Sequence, residues 1–154
     1  MIVVSDTSAV TNLIGVHRIE ILRDLFGVIT VPPAVHDELM RHHVSLPDFV
    51  HVKELASRGP AALLMSELDP GESEAIALAI ELKADFLLVD EKLGRAAAER
   101  HGIPVIGLLG VLLLAKKHGL LPSVRDVIDQ LVRDTGFFLS AEVRSRALSL
   151  AGEN

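Results

Sequence analysis

The chain has 154 residues, a length that suits one domain, and no cysteine, which excludes disulfides, thiolate catalysis and cysteine-ligated metal. Hydrophobic residues make up 49% but aromatics only 3%, so the core must be built from Leu, Val, Ile and Ala. The net charge of −6 excludes nucleic-acid binding by bulk charge alone; such binding would need a local basic patch or a bound metal.

The run Ile2-Val3-Val4 leads straight into Ser5-Asp6-Thr7-Ser8. A short, continuous, β-branched run predicts a strand buried on both faces, as in a parallel sheet. Asp6 then stands at its C-terminal edge, where open α/β sheets bind ligands. Helices are expected from Ser8 to about Ile14, closed by Gly15, and from Arg18 to Phe26, closed by Gly27. Val28–Val31 reads as a second strand. Pro32-Pro33 ends it and opens a helix to about His42. From Val44 to Gly59 the pattern is irregular, with a short extended piece at Phe49–Val52. Asp69-Pro70-Gly71-Glu72 starts the clearest helix, which runs to about Lys83. Phe86–Val89 is a third strand ending in Asp90, followed by a helix from Leu93 to His101. Ile103–Ile106 is a fourth strand, whose Pro104 suits an edge or a strand start. Helices follow at Leu108–His118, after Ser123 with Val124, Val127, Ile128 and Leu131 inward, and after Ser140. The longest apolar stretch is too short to span a bilayer, and the opening lacks the basic-then-apolar pattern of a leader, so a cytoplasmic protein is expected. Strands alternating with helices predict an α/β fold with a parallel sheet.

Asp6 and Asp90 share a context, each after a buried strand and before a helix, which puts both at one sheet edge. Asp85 precedes its strand and belongs at the opposite edge. At about 100° per residue, Glu38 falls between Ala34 and Val35, on the sheet-facing side, and Asp37 falls away from it. Glu72 shares a face with Ala75, Ile76 and Ala79, whereas Glu74 shares its side with Glu81 and is expected to face solvent. Four carboxylates, Asp6, Glu38, Glu72 and Asp90, are thus expected near one edge. Crowded carboxylates must take up protons or hold a cation, and oxygen-only ligands favour Mg²⁺ or Mn²⁺ over zinc. The chemistry implied is hydrolysis of a phosphodiester.

Each acid also has a structural reading. Asp6 and Asp90 can cap helices, Asp69 and Glu72 have capping-box spacing, and the stem of Glu38 can pack while its head reaches water. Lys92 and Arg95, just after Asp90, are candidates for holding a phosphate backbone, or form a solvated helix face. Thr7 and Ser8 are candidates for contacting a metal-bound water, or only start the helix. His42 and His43 point in different directions on a helix and make a poor ligand pair. Lys116-Lys117-His118 suits a helix C-terminus. A phosphotransfer protein would need a second Asp where Ser8 stands, or an adjacent acid pair at the first strand.

Val4-Ser5-Asp6-Thr7-Ser8 with Asn12-Leu13, then Leu68 to Ala79, Leu88-Val89-Asp90-Glu91 and Val105 to Leu112, in that order, resemble PIN-domain proteins. The group most similar is the small prokaryotic one known as DUF3368, related to VapC-like toxins. The resemblance covers nearly the whole chain, residues 1–154 as a single PIN-like domain. It implies a three-layer α/β/α fold with a central, mainly parallel sheet of about four to five strands. It also implies an acidic Mg²⁺- or Mn²⁺-dependent site to which Asp6, Glu38, Glu72 and Asp90 correspond. The expected activity is an endoribonuclease leaving a 5′-phosphate and a 3′-hydroxyl, as the toxin of a toxin–antitoxin pair. RNA, an antitoxin protein and a second copy of the chain are the expected partners. The alternative is a non-catalytic PIN-like module that binds RNA or protein.

Overall fold

The computed structural model describes residues 1–154. Its centre is strand β1 (Val3–Ser5), with all three residues buried. Helices α1 (Thr7–Gly15) and α2 (Glu20–Phe26) lead to β2 (Ile29–Val31). Helix α3 (Pro33–His42) follows, then β3 (Val50–Val52), then helices α4 (Gly59–Leu64) and α5 (Pro70–Leu82). The chain continues through β4 (Phe86–Leu88), α6 (Lys92–Arg100), β5 (Val105–Ile106), α7 (Leu108–Lys117), α8 (Val124–Thr135) and α9 (Ala141–Leu150). All strand pairings are parallel, in the order β3-β2-β1-β4-β5. The chain builds outward from β1 on one side, returns, and builds outward on the other. The order therefore reverses between β1 and β4, where an open sheet forms its ligand crevice. In this pair Val4 is opposite Leu87 and Ser5 opposite Leu88. The residues that follow, Asp6 and Val89-Asp90, emerge at the same end. The strand containing Val105 is an edge strand, as Pro104 suggested.

Helix α5 lies against β1 and β4 and is flanked by α3, α4 and α6. Helix α2 packs on β2 and meets α7, which meets α8 and α9. The apolar core is one contiguous cluster. Its only close aromatic pair, Phe26 and Phe86 with ring centroids 6.3 Å apart, agrees with a core made mainly of aliphatic side chains. Helix starts follow the expected caps: Asp6, Asp69, Ser123 and Ser140 accept from backbone N–H groups of Ser8, Glu72, Asp126 and Val143. No helix is long and apolar enough to cross a membrane.

Two features differ from expectation. The segment before Asp69 contains the short helix α4, which has no strong periodic signal of its own. Helix α5 was expected to have one solvent face, but every residue from Gly71 to Ala79 is buried. Neighbouring helices cover its flanks, so its small residues pack all round. Glu74 is consequently buried, at 4% exposure, and does not face solvent.

Candidate metal centre

Asp6 sits where β1 gives way to α1. Its N–H donates to the Leu88 carbonyl across the sheet at 3.0 Å, and its Oδ1 accepts from the Ser8 N–H at 3.1 Å. It is therefore a helix cap as well as a crevice acid, and only 3% exposed. Asp90 stands two residues beyond β4. Its Oδ1 accepts from the N–H of Leu108, the first residue of α7, at 2.9 Å. Gly107 makes this approach possible: a Cβ there would lie 2.7 Å from Asp90 Oδ1 and 3.1 Å from Arg95 Nη1. Asp85 is exposed at the opposite end and accepts from the Ile2 N–H.

Glu72 comes from the first turn of α5. Asp69 Oδ1 accepts from the Glu72 N–H at 2.8 Å, which forms half of a capping box. The other half is missing: the Glu72 carboxylate is buried, and its Oε2 has no hydrogen-bond partner. It leans instead towards α6, where a Cβ on Gly94 would lie 2.7 Å from Oε2. A glycine inside a helix is unfavourable by about 1 kcal/mol relative to alanine. Gly94 was therefore a legible sign of close approach, and the sequence reading missed it.

The electrostatics bring three acids together. Burial pushes the Asp6 carboxyl well above its usual range, and the charges of Asp90 and Glu72 add to the rise. Burial, with the neighbouring Asp69 and Glu91, pushes Glu72 up to about 7. Burial also raises Asp90, against the lowering effect of the Leu108 N–H and the Arg95 guanidinium. Glu38 is linked to this group through Thr7, the residue after Asp6. Its Oε2 accepts from Thr7 Oγ1 at 3.0 Å, and it lines a separate cavity of about 360 Å³ with Arg41 and Asp69. Asp37 is exposed, as its helical angle indicated.

Glu74 belongs elsewhere. Its Oε1 accepts from the Ala34 N–H at the start of α3, and its Oε2 from Arg58, both at 3.0 Å. It ties α3 and the α4 region to α5, and both its oxygens have donors. The choice between Glu72 and Glu74 therefore rests on provision of donors, since both are buried. Thr7 gives its hydroxyl to Glu38, and Ser8 gives its N–H to Asp6. Lys92 is exposed and Arg95 half-buried; both line cavities that open onto Asp90. His43 Nε2 lies 2.7 Å from Thr11 Oγ1, away from the acids.

No three His, Asp or Glu side chains stand at the spacing of a complete protein cage around one ion. A hard cation of the Mg²⁺ type keeps several waters and needs only one or two carboxylates. The orphaned Glu72 oxygen and the mutual repulsion of the acids fit such an ion. One or two of Asp6, Glu72 and Asp90 could hold it directly, the rest of its shell being water.

A parallel sheet in this order, with acids at the point where it reverses, is the arrangement of a PIN domain, a nuclease-type fold. The sequence matches the DUF3368 family, described as a PIN domain, over residues 2–153, and the chain belongs to that family. Among solved structures it is similar to a PilT N-terminus domain protein from the hyperthermophilic archaeon Sulfolobus solfataricus P2. The TM-score is 0.60 at 24% identity, covering 75% of this chain and 93% of that one. That likeness concerns the fold alone. No curated protein matches the chain.

Proposed function

We propose that the chain is a divalent-metal-dependent endoribonuclease. The observation that carries this reading is the partnerless, buried Glu72 oxygen beside Asp6 and Asp90, whose charges oppose one another at the sheet's crevice. In this reading Asp6, Glu72 and Asp90 hold Mg²⁺ or Mn²⁺, directly or through its waters, and Glu38 is linked to them through Thr7. A bound divalent ion would supply a Lewis acid for the phosphoryl oxygen and lower the pKa of a bound water. The protein's own part is to orient the acids. The Ser8 N–H fixes Asp6, the Leu108 N–H fixes Asp90, and burial of Glu72 keeps competing donors away. Lys92 and Arg95 hold the phosphate backbone on the α6 side of Asp90. The family resemblance extends the proposal to 5′-phosphate and 3′-hydroxyl products, and to a cytoplasmic toxin that forms a homodimer and is held by an antitoxin.

The test is calorimetric metal titration together with cleavage of labelled RNAs in Mn²⁺, in Mg²⁺ and with chelator, beside Asp6→Asn. The variant keeps an oxygen for the Ser8 N–H and removes the charge. We expect metal affinity and cleavage each to fall by about a hundredfold or more. The absence of a complete acid cage and the negative net charge favour a second reading, a PIN-like module that binds without cutting. Saturable RNA binding with no metal uptake and no cleavage would establish that reading instead.

A further inference from the structure

The cavity that opens onto Asp90 continues well beyond the acids. It encloses about 850 Å³, and its lining includes Asp90, Lys92 and Arg95 together with Phe137, Phe138 and Leu139. The chain has five phenylalanines and no tyrosine or tryptophan. Phe26 and Phe49 are buried, and Phe86 packs against the core. Phe138 is 87% exposed.

Its outward position is imposed by its neighbours. Gly136 ends α8 in the left-handed conformation, with φ of 71°, and Ser140 caps α9. Between them Phe137 and Leu139 pack against the core. Exposure alternates along this segment, and Phe138 between them is left open to solvent. An exposed ring held by anchors on both sides loses little conformational freedom when it is covered. It shares its cavity with two cations beside the acidic crevice.

We infer that Phe138 is a nucleobase-stacking platform, which receives an unpaired base next to the phosphate held by Lys92 and Arg95. The inference rests on RNA as the substrate. The chemistry fits because single strands are bound by combining a cationic track for the backbone with an aromatic face for a base. Arg95 Nη1 and Asp90 Oδ1 both crowd the space over Gly107, so Arg95 is set to hold a phosphate at the acids while the adjoining base reaches the ring. Stacking tolerates any base, so the platform selects unpaired over duplex RNA and does not select a sequence.

The absence of tryptophan provides a direct test. Phe138→Trp introduces the only indole, and its emission reports on stacking. In chelator, a short single-stranded RNA should quench this emission saturably, whereas an abasic oligomer of equal length should not. Phe138→Ala should weaken binding of the same RNA about 10- to 100-fold, with an unchanged melting temperature. In Mn²⁺ the loss should fall on KM and leave kcat unchanged. Equal quenching by the abasic oligomer, or wild-type affinity in Phe138→Ala, overturns the platform. Wild-type RNA binding with an altered sedimentation coefficient in Phe138→Ala also overturns it, in favour of a contact between copies. Because binding is measured without metal, absence of cleavage defeats the nuclease reading while the quenching result stands by itself.

Discussion

Carboxylates at two places in this protein, all of low exposure, have opposite surroundings. Near the C-terminus, the Glu153 side chain is 13% exposed and both its oxygens are fully engaged. Oε1 accepts from Ser123 Oγ and the Arg125 N–H, and Oε2 accepts from Lys116 Nζ and the Val124 N–H, at 2.7 to 3.1 Å. Burial pushes this carboxyl up, but Lys116, the two N–H groups of α8 and Ser123 together hold it down to about 2. In the crevice, Asp6, Glu72 and Asp90 face other acids, and all three are raised. Loss of hydration raises the carboxyl in both places, so it does not mark the site; the supply of donors does. Helix α5 repeats the contrast within two residues, with donors on both oxygens of Glu74 and none on Oε2 of Glu72.

The largest separation of the two groups should come from substitution. Glu153→Ala strands two N–H groups at the start of α8 and a lysine, and should destabilise by about 2–3 kcal/mol. In a chain of this size that lowers Tm by roughly 5–10 °C, with metal affinity unchanged. Glu74→Gln should also lower Tm, by less. Glu72→Gln should leave the metal-free Tm unchanged or higher, because it removes a repelling charge, and should abolish the rise in Tm that Mn²⁺ produces. If Glu72→Gln destabilises as much as Glu153→Ala and the Mn²⁺ response survives, Glu72 is structural and the contrast fails.

Acidity sharpens the same comparison. Glu72 moves from 4.5 to about 7 on folding, so the folded state binds the extra proton. Its contribution is fully present below pH 4.5 and is lost as pH rises through 7. The raised Asp6 and Asp90 act in the same direction. Glu153 moves from 4.5 to about 2, so its contribution is present above pH 4.5 and is lost as pH falls through 2. Urea denaturation in chelator should therefore show stability falling between pH 4.5 and 7. Mg²⁺ or Mn²⁺ should restore it most strongly above pH 7, where protons no longer compete for the acids. A flat profile in chelator across that window would falsify the charge-crowding account.

The smallest expected effect is that of Gly94→Ala. The added methyl group would lie 2.7 Å from Glu72 Oε2 and 3.1 Å from Cγ2 of the buried Val89. We expect little net change in metal-free stability, because the better helix propensity of alanine, about 1 kcal/mol, is offset by crowding of Val89. Metal affinity should fall about tenfold, because the carboxylate is displaced. Titration calorimetry beside the wild type measures both the affinity and the stability it confers; an unchanged affinity would detach Gly94 from the site.

Local patterns by themselves determined the parallel sheet, the placing of Asp6 and Asp90 at one end of β1 and β4, and the helical angles that turn Glu38 and Glu72 inward. A strand's β-branched run and a helix's repeat depend on neighbours a few residues away, so they are visible in the chain. The short helix α4 gave no such signal, because six residues barely complete a turn and a half. Only the tertiary structure decided which acids would have donors. Glu74 meets Ala34 across 40 positions and Arg58 across 16, and Glu153 meets Val124 across 29. Those contacts arise when α3, α4, α8 and the C-terminus pack. Until they do, Glu72 and Glu74 are chemically equivalent acids on one helix. Packing leaves one with an unpartnered oxygen, in a crevice where a cation can serve it.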